Sequence, residues 1–283
     1  MEYKVAVQVL TYNQKDYIAQ CLDGIVMQRT TFPFVAMVHD DASTDGTADI
    51  VRQYAERYPD IILPILQTEN QYSKGNSPAK IVADKINELN PKYKCIVDGD
   101  DYWTDADFLQ VCYDWLEEHP ACAVAYTKTQ VMEMPSGLIR EKDAGHRWET
   151  PTLETMLIRN MIPIHTAMFR LDVYRQYYQE VKPFEKPWPV TDWAIWLYMI
   201  AKHEVRFIDQ TTAILRKTTV SMTRKKSLWA RLRYLNNLKQ TPLYFCQYSK
   251  EPGIRKRVER HFYKLIKNEI IDEIKRRITK DEG

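Results

Sequence analysis

Three carboxylates fall within four positions of the segment Asp98-Gly99-Asp100-Asp101-Tyr102-Trp103, directly after residues 92–97, which are typical of a buried strand. Crowded carboxylates repel one another unless a cation or a hydrogen-bonded ligand lies between them. Asp98 and Asp100 can both direct oxygens toward a hard divalent cation and the phosphates that it binds. A solvated acidic turn that caps the next helix is the alternative, and three acids alone do not decide between the two.

Two more polar turns follow predicted strands earlier in the chain. Asp40 and Asp41 follow the strand at 34–38, and Thr11-Tyr12-Asn13 follows the strand at 5–10. In open α/β sheets ligands bind at the carboxyl ends of the strands, so a parallel sheet would bring all three turns to one edge. Such an edge suits a nucleotide diphosphate-sugar: carboxylates accept from base N–H groups and ribose hydroxyls, and a metal-bound pair holds the pyrophosphate. Neither GxxxxGK[ST] nor GxGxxG occurs, which disfavours nucleotide sites built on those motifs.

A strand–helix alternation positions these turns. It predicts a mostly parallel sheet covered by helices on both faces. Beyond residue 126 the alternation loosens. There we predict helices at 153–159, 171–178 and 193–202, short strands at 167–169, 205–208 and 213–215, and two amphipathic helices in the tail.

Composition places the 283-residue chain among globular proteins, with 45% hydrophobic and 28% charged residues. Its five cysteines show no paired spacing, which favours reduced thiols in a cytoplasmic protein. We see no signal peptide, and no apolar run approaches the roughly 20 residues that span a bilayer. From residue 224 onward there are 17 Lys and Arg against 7 Asp and Glu, whereas the rest carries 23 against 31. This shift predicts a domain over 1–223 and a basic helical extension over 224–283.

Together the three blocks resemble the family 2 glycosyltransferases with the GT-A fold, most closely the bacterial branch that builds capsular or lipopolysaccharide glycans. The resemblance covers roughly the first 130 residues, which it marks as the nucleotide-sugar half, and leaves 131–223 as the acceptor half. It implies a nucleotide-diphospho-sugar transferase fold in which Asp98 and Asp100 form the DXD-type motif for Mn²⁺ or Mg²⁺. It also implies that Asp40 contacts the nucleobase. The other donor-site residues that we predict from it are Thr11, Tyr12, Asn13, Asp41, Ser43, Asn70, Lys80, Gly99 and Asp101. Aromatic faces stack on sugar rings, so we also predict Trp103 at the pocket, with a core position as the alternative.

An inverting transfer also needs a general base for the acceptor hydroxyl. The segment 189–197 resembles the family stretch that carries this carboxylate, which identifies Asp192. The alternative is that Asp192 serves only as the N-cap of the apolar helix that follows.

Two further segments resemble the acceptor side and the closing motif of the family. His165 belongs to the segment that resembles the acceptor side, where it would either contact the acceptor or serve as a structural histidine. In the second the family often carries a histidine where this chain has Thr218, which leaves Arg216 and Lys217 as candidates to neutralise phosphate. A solvated basic turn is the alternative for this pair.

The predicted partners are a nucleotide-sugar donor, with uridine as the default base, and a glycan or lipid-linked acceptor. The basic tail 224–283, which includes Arg224-Lys225-Lys226, suits peripheral contact with the inner face of the cytoplasmic membrane. The alternative is that its helices pack on the catalytic body and leave a solvated basic side. Nucleic acid is not expected, since no base-stacking module accompanies the charge. A nucleotidyltransferase and a non-catalytic module that binds a sugar nucleotide or glycan are the rival functions.

Overall fold

The computed structural model describes residues 2–141, 148–217 and 227–281. Within them the strands are β1 (Val5–Thr11), β2 (Phe34–Asp40), β3 (Ile62–Leu66), β4 (Tyr93–Asp98), β5 (Tyr102–Trp103), β6 (Cys122–Glu133), β7 (Leu138–Glu141), β8 (Ala167–Arg170) and β9 (Glu204–Lys217). The α-helices are α1 (Ile18–Val26), α2 (Thr47–Arg57), α3 (Pro78–Leu89), α4 (Phe108–Glu118), α5 (Leu153–Ile158), α6 (Leu171–Val181), α7 (Thr191–Lys202), α8 (Leu228–Phe245) and α9 (Ile254–Asp281).

All of these strands join one sheet in the order β3-β2-β1-β4-β8-β6-β9-β5, and β7 pairs with β6. The first four are parallel, as the strand–helix alternation predicts. β8 then enters antiparallel between β4 and β6, while β6 and β9 run parallel. The four parallel strands carry the three polar turns at their carboxyl ends.

The central parallel strands β1 and β2 are almost completely buried. Every residue of β2 is buried, and so is all of β1 except Leu10, because helices cover both faces and leave no solvated side. β3 lies at one end of the strand order, and an edge strand tolerates Pro64, which has no backbone N–H to donate to a neighbour.

One strand prediction was wrong. The segments 205–208 and 213–215, predicted as two short strands, belong to the single strand β9, which pairs with β6 through register shifts. The polar residues 209–212 break the apolar pattern between them, yet Thr212 is fully buried and bonds Thr127 across the sheet.

The chain divides into two compact units. The first comprises residues 1–150, 162–174 and 204–218 and contains the whole sheet. The second comprises 151–161, 175–203 and 219–283, so α8 and α9 group with α5 and α7. The boundary at residue 223 and the halves 1–130 and 131–223 stay predictions, and Arg224-Lys225-Lys226 lies outside the described residues.

In the second unit the tail helices are packed rather than free. Phe245 and Phe262 are buried, and the ring of Phe262 stacks on that of Trp193 at 6.4 Å. Arg231 of α8 pairs with Glu269 and Glu273 of α9 at 2.7 and 2.8 Å. Trp193 and Trp196 are both buried in the same unit. Among the described residues, no helix has the length and apolar character needed to cross a membrane.

Lys94 of β4 gives a first prediction, on stability. Its side chain is fully buried, its Nζ has no hydrogen-bond partner in the described parts of the chain and lies 4.5 Å from the Tyr174 ring centre, and burial lowers its pKa to about 7. The unfolded chain therefore binds more protons between about pH 7 and 10.5, so stability rises with pH across that window. We expect Lys94→Met to raise the free energy of unfolding by about 4 kcal/mol at pH 7 and about 2 kcal/mol at pH 9.

Urea unfolding at both pH values measures this difference. Lys92→Met is the control, because Lys92 is exposed and pairs with Glu117 at 2.7 Å, so its loss should not stabilise the fold. A gain from Lys94→Met that is the same at both pH values would contradict the assignment.

Candidate donor site and candidate base

The strand register brings the three polar turns to one edge of the sheet, as predicted. Thr11 of β1 lies opposite Asp40 of β2, and Leu10 lies opposite Asp98 of β4. Backbone hydrogen bonds continue past the strand ends: Asp41 N–H donates to the Thr11 carbonyl at 3.1 Å, and Gly99 N–H to that of Leu10 at 2.9 Å.

Side chains of the first two turns bond to one another. Asn13 N–H donates to Ser43 Oγ at 2.8 Å, and Asn13 Oδ1 accepts from Thr44 N–H at 2.9 Å. Lys15 N–H donates to Asp45 Oδ2 at 3.0 Å. Asn13 has φ +50°, a left-handed conformation that asparagine tolerates better than most residues. These bonds fix the two turns as one polar wall, beside which the Tyr12 side chain stands half exposed.

Asp40 and Asp41 are both buried and have different partners. Asp40 accepts from the backbone N–H and the hydroxyl of Ser43, at 2.9 and 2.5 Å. Asp41 accepts from the N–H groups of Gln71 and Tyr72, at 2.8 and 3.1 Å, and its carbonyl accepts from Asn70 Nδ2 at 3.0 Å. Asp41 and Asn70 therefore anchor the 70–72 turn beside the site.

The three carboxylates of the acidic turn after β4 become progressively more buried along the chain. Asp98 is exposed, Asp100 is partly buried and Asp101 is buried. Burial raises the pKa of Asp100, and Arg216 and Gln14 oppose that rise. The pKa of Asp101 is raised well above its usual range, first by burial and then by the charges of Asp100 and Asp98. The mutual repulsion expected of these carboxylates is thus present in the folded chain.

Asp101 and His165 form a polar support beneath the turn. Asp101 Oδ1 accepts from the Arg216 backbone N–H at 2.9 Å, and His165 Nδ1 lies 3.6 Å from Asp101 Oδ2. His165 Nε2 is 2.9 Å from Thr129 Oγ1, and Trp103 donates its indole N–H to the His165 carbonyl at 2.7 Å. Trp103 is only 2% exposed, so the structure places it in the core rather than on the pocket surface.

The Arg216 guanidinium lies at the same turn. It donates to the Asp100 carbonyl at 2.6 Å and to Gln20 Oε1, and it stacks on the rings of Tyr102 and Tyr17 at 4.4 and 5.2 Å. Sequence reasoning missed Gln14, Tyr17 and Gln20, because no local pattern marks their contacts with residues some 80 to 200 positions away.

Two lysines that were predicted to contact the donor or its phosphates are each paired with an acidic side chain. Lys217 is exposed and pairs with Glu133 at 3.1 Å. Lys80 pairs with Asp84 one helical turn further along α3, at 2.7 Å. Thr218 lies outside the described residues.

The acidic turn fits a divalent cation. In the described parts of the chain no cluster of three or more His, Cys, Asp or Glu residues is arranged to hold a metal ion, so Asp98 and Asp100 would supply at most two protein ligands. Mg²⁺ is typically held by one or two carboxylates together with substrate phosphates and water, and an all-oxygen site also suits Mn²⁺. Burial is the main cause of the raised pKa of Asp101, and a cation would relieve the further contribution from the charges of Asp100 and Asp98.

Gly99 gives a second prediction. A Cβ atom there would lie 2.5 Å from Gln14 Oε1 and 2.9 Å from Thr11 Cβ, so a side chain must push the acidic turn away from the β1 turn. Because a displacement of about 1 Å can cost roughly 100-fold in rate, we expect Gly99→Ala to lower donor turnover by roughly 10- to 100-fold.

Donor turnover and the melting temperature of each variant measure this effect. The control is Gly253→Ala, at φ +79° with open space around it, which should destabilise the fold without slowing turnover. Unchanged turnover in Gly99→Ala would show that the close approach of these turns is unimportant.

Asp192 belongs to the second unit, in the first turn of α7. The N-cap is Val190, so the interpretation of Asp192 as the N-cap was wrong. Its Oδ1 accepts from Trp193 N–H at 2.8 Å, and its Oδ2 accepts from Asn160 Nδ2 at 3.0 Å. Asp192 is partly buried, and a carboxylate in the first turn of a helix interacts favourably with the helix dipole.

Two curated relatives are similar in sequence. An uncharacterized protein of Mycobacterium tuberculosis is 29% identical over 209 residues, 74% of this chain and 57% of that protein. The putative teichuronic acid biosynthesis glycosyltransferase TuaG of Bacillus subtilis is 31% identical over 134 residues, 46% of this chain and 49% of that protein. The chain thus spans about half the length of these relatives.

Solved structures share the fold. TarS of S. aureus in complex with UDP-GlcNAc has a TM-score of 0.63 at 16% identity, over 94% of this chain and 72% of that chain. A mannosyltransferase of Pyrobaculum calidifontis in complex with GDP-Man and Mn²⁺ has a TM-score of 0.54 at 20% identity, over 92% and 69%. The fold prediction is therefore confirmed. The family model described as Glycosyl transferase family 2 matches residues 6–181, more than half of the sequence, and the chain therefore belongs to glycosyl transferase family 2.

Proposed function

We propose that the protein is a metal-dependent, inverting glycosyltransferase that transfers a sugar from a nucleotide-sugar to a glycan or lipid-linked acceptor in bacterial cell-surface polysaccharide synthesis. The observation that carries this proposal is the strand register, which aligns the ends of β1, β2 and β4 and so groups Thr11, Asp40 and Asp98. Family membership and the structural neighbours that hold UDP-GlcNAc or GDP-Man support it.

In this proposal the two fixed turns bind the nucleoside. Asp40, held by Ser43, accepts hydrogen bonds from the nucleobase, and Thr11 and Asn13 line the pocket. Uridine is the base that we expect first, since TarS was solved with UDP and with UDP-GlcNAc. Asp41 and Asn70 contribute by holding the 70–72 turn.

Asp98 and Asp100 would hold Mn²⁺ or Mg²⁺, which supplies charge stabilisation to a departing nucleoside diphosphate. Arg216, Asp101 and His165 keep the turn in place through the contacts described above. Asp192 accepts the proton of the acceptor hydroxyl as this oxygen attacks the anomeric carbon. Asn160 holds the Asp192 carboxylate in one orientation.

A screen of nucleotide-sugars for Mn²⁺-dependent hydrolysis tests the activity, because such enzymes can release donor sugar to water. UDP-sugars should be hydrolysed, and chelation should stop the reaction. A nucleotidyltransferase would instead consume a nucleoside triphosphate and a sugar phosphate. A non-catalytic module would bind the donor without turnover.

We also propose that the tail contacts the inner face of the cytoplasmic membrane. Ile271 and Ile274 of α9 are exposed beside Lys275 and Arg276. Interfacial helices combine apolar and basic side chains in this way. In sedimentation with vesicles we expect binding to those rich in anionic lipid, and roughly tenfold weaker binding for Ile271→Ser/Ile274→Ser. Equal binding to neutral vesicles would contradict the electrostatic part of this prediction.

A further inference from the structure

The second unit contains a concave pocket of about 520 Å³, lined by Pro189, Ser227 and one side of α8. This volume is within the range of about 300–1,000 Å³ that is typical of small-molecule sites. Trp229 at its rim is 79% exposed, although large aromatic side chains are usually covered by protein.

Three polar side chains of the pocket make no bonds within the described residues, whereas Ser227 Oγ accepts from Ala230 N–H at 3.2 Å. The guanidinium of Arg233, the hydroxyl of Tyr234 and the carboxamide of Asn237 have neither a hydrogen bond nor an ion pair there. On the same helix Arg231 is paired with two glutamates. The pocket therefore presents a phenol, a carboxamide and a guanidinium that can bond to a ligand. No acidic side chain among the described residues pairs with this guanidinium.

The pocket is close to Asp192. Pro189 lies three residues before it, at the loop that leads into α7. Burial raises the pKa of Tyr234, and the negative charge of Asp192 raises it further. The loop that lines the pocket therefore leads directly into the helix turn that carries the carboxylate we propose as the base.

These groups together match a sugar ring. An indole face packs against the C–H face of a pyranose, while a carboxamide and a phenol bond its hydroxyls. An unpaired guanidinium adds affinity for a carboxylate or a phosphate. We propose that this pocket binds a pyranose unit of the acceptor glycan that carries one negatively charged group. The inference rests on the proposed glycosyl transfer and specifies its acceptor.

Ligand-observed NMR on the full chain, without nucleotide, tests this proposal with methyl glucuronide, glucose 6-phosphate and neutral methyl glucoside. A single ring should bind with a millimolar dissociation constant. At least one charged sugar should bind roughly tenfold more tightly than the glucoside, and comparison of the two identifies the charged group. Arg233→Gln should remove that preference, and Trp229→Ala should weaken every sugar by about tenfold. Tyr263→Ala, an exposed aromatic of α9 outside the pocket, is the control and should change nothing.

The proposal is overturned if none of the three sugars binds, or if Trp229→Ala binds them as the wild type does. A dimer that depends on Trp229, without sugar binding, also overturns it, because a second copy would then occupy the pocket. UDP binding with Mn²⁺, measured on the same sample, separates the two failures. Its absence counts against the proposed activity, whereas its presence without sugar binding counts against this pocket alone.

Discussion

Replacing Asp192 with asparagine should lower turnover by about 10²- to 10⁴-fold and leave the affinity for the donor unchanged. The carboxylate accepts from Asn160 and from the Trp193 N–H. An asparagine carbonyl can still accept one of these bonds, so the fold should survive. A neutral amide cannot take the acceptor's proton, and the chemical step should fail.

Asp172→Asn is the matched control for this experiment. Asp172 is also the second residue of its helix, α6, and also accepts from the next backbone N–H at 2.8 Å. Turnover and donor affinity should be measured side by side for both variants. Equal losses would show that the effect comes from the helix start, and wild-type turnover in Asp192→Asn would exclude it as the base.

The second large effect is expected at the acidic turn. Asp98→Asn/Asp100→Asn should weaken Mn²⁺-dependent donor binding by at least about 100-fold, because the described residues offer no third carboxylate or histidine arranged to compensate. Removing two repelling charges also relieves Asp101, so the melting temperature should not fall. Calorimetric titration with UDP, with and without Mn²⁺, measures the change.

Asp105→Asn is the control at the acidic turn. Asp105 lies in the loop that follows, where it accepts from Gln210 Nε2 at 2.7 Å and from Asp107 N–H at 2.8 Å. Its loss should leave metal-dependent binding intact. If Asp98→Asn/Asp100→Asn weakens Mn²⁺-dependent UDP binding no more than Asp105→Asn does, the metal role assigned to Asp98 and Asp100 is wrong.

Local patterns were sufficient for the parallel half of the sheet. Continuous apolar runs followed by polar turns predicted β1, β2 and β4, and the register then aligns Thr11, Asp40 and Asp98. The antiparallel insertion of β8 was not predictable, because strand order beyond β4 depends on pairings between distant segments. The single strand β9 was missed for a related reason, since its polar middle is buried by partners on β6.

The candidate site shows the same limit. Types and spacing identified the acids, but they did not reveal that Asp41 anchors a turn or that Trp103 lies in the core. Arg216 was a candidate for phosphate neutralisation, and only the folded chain shows it bound to the Asp100 carbonyl 116 residues away. Long-range hydrogen bonds leave no periodic trace in a sequence, so these roles required the structure.

The most direct test is a crystal structure with UDP and Mn²⁺, read from the anomalous signal of manganese. We predict a manganese peak between the carboxylates of Asp98 and Asp100, with the diphosphate bound to the same ion and the uracil beside Asp40. A peak elsewhere, or UDP bound with no metal at this turn, would contradict the account.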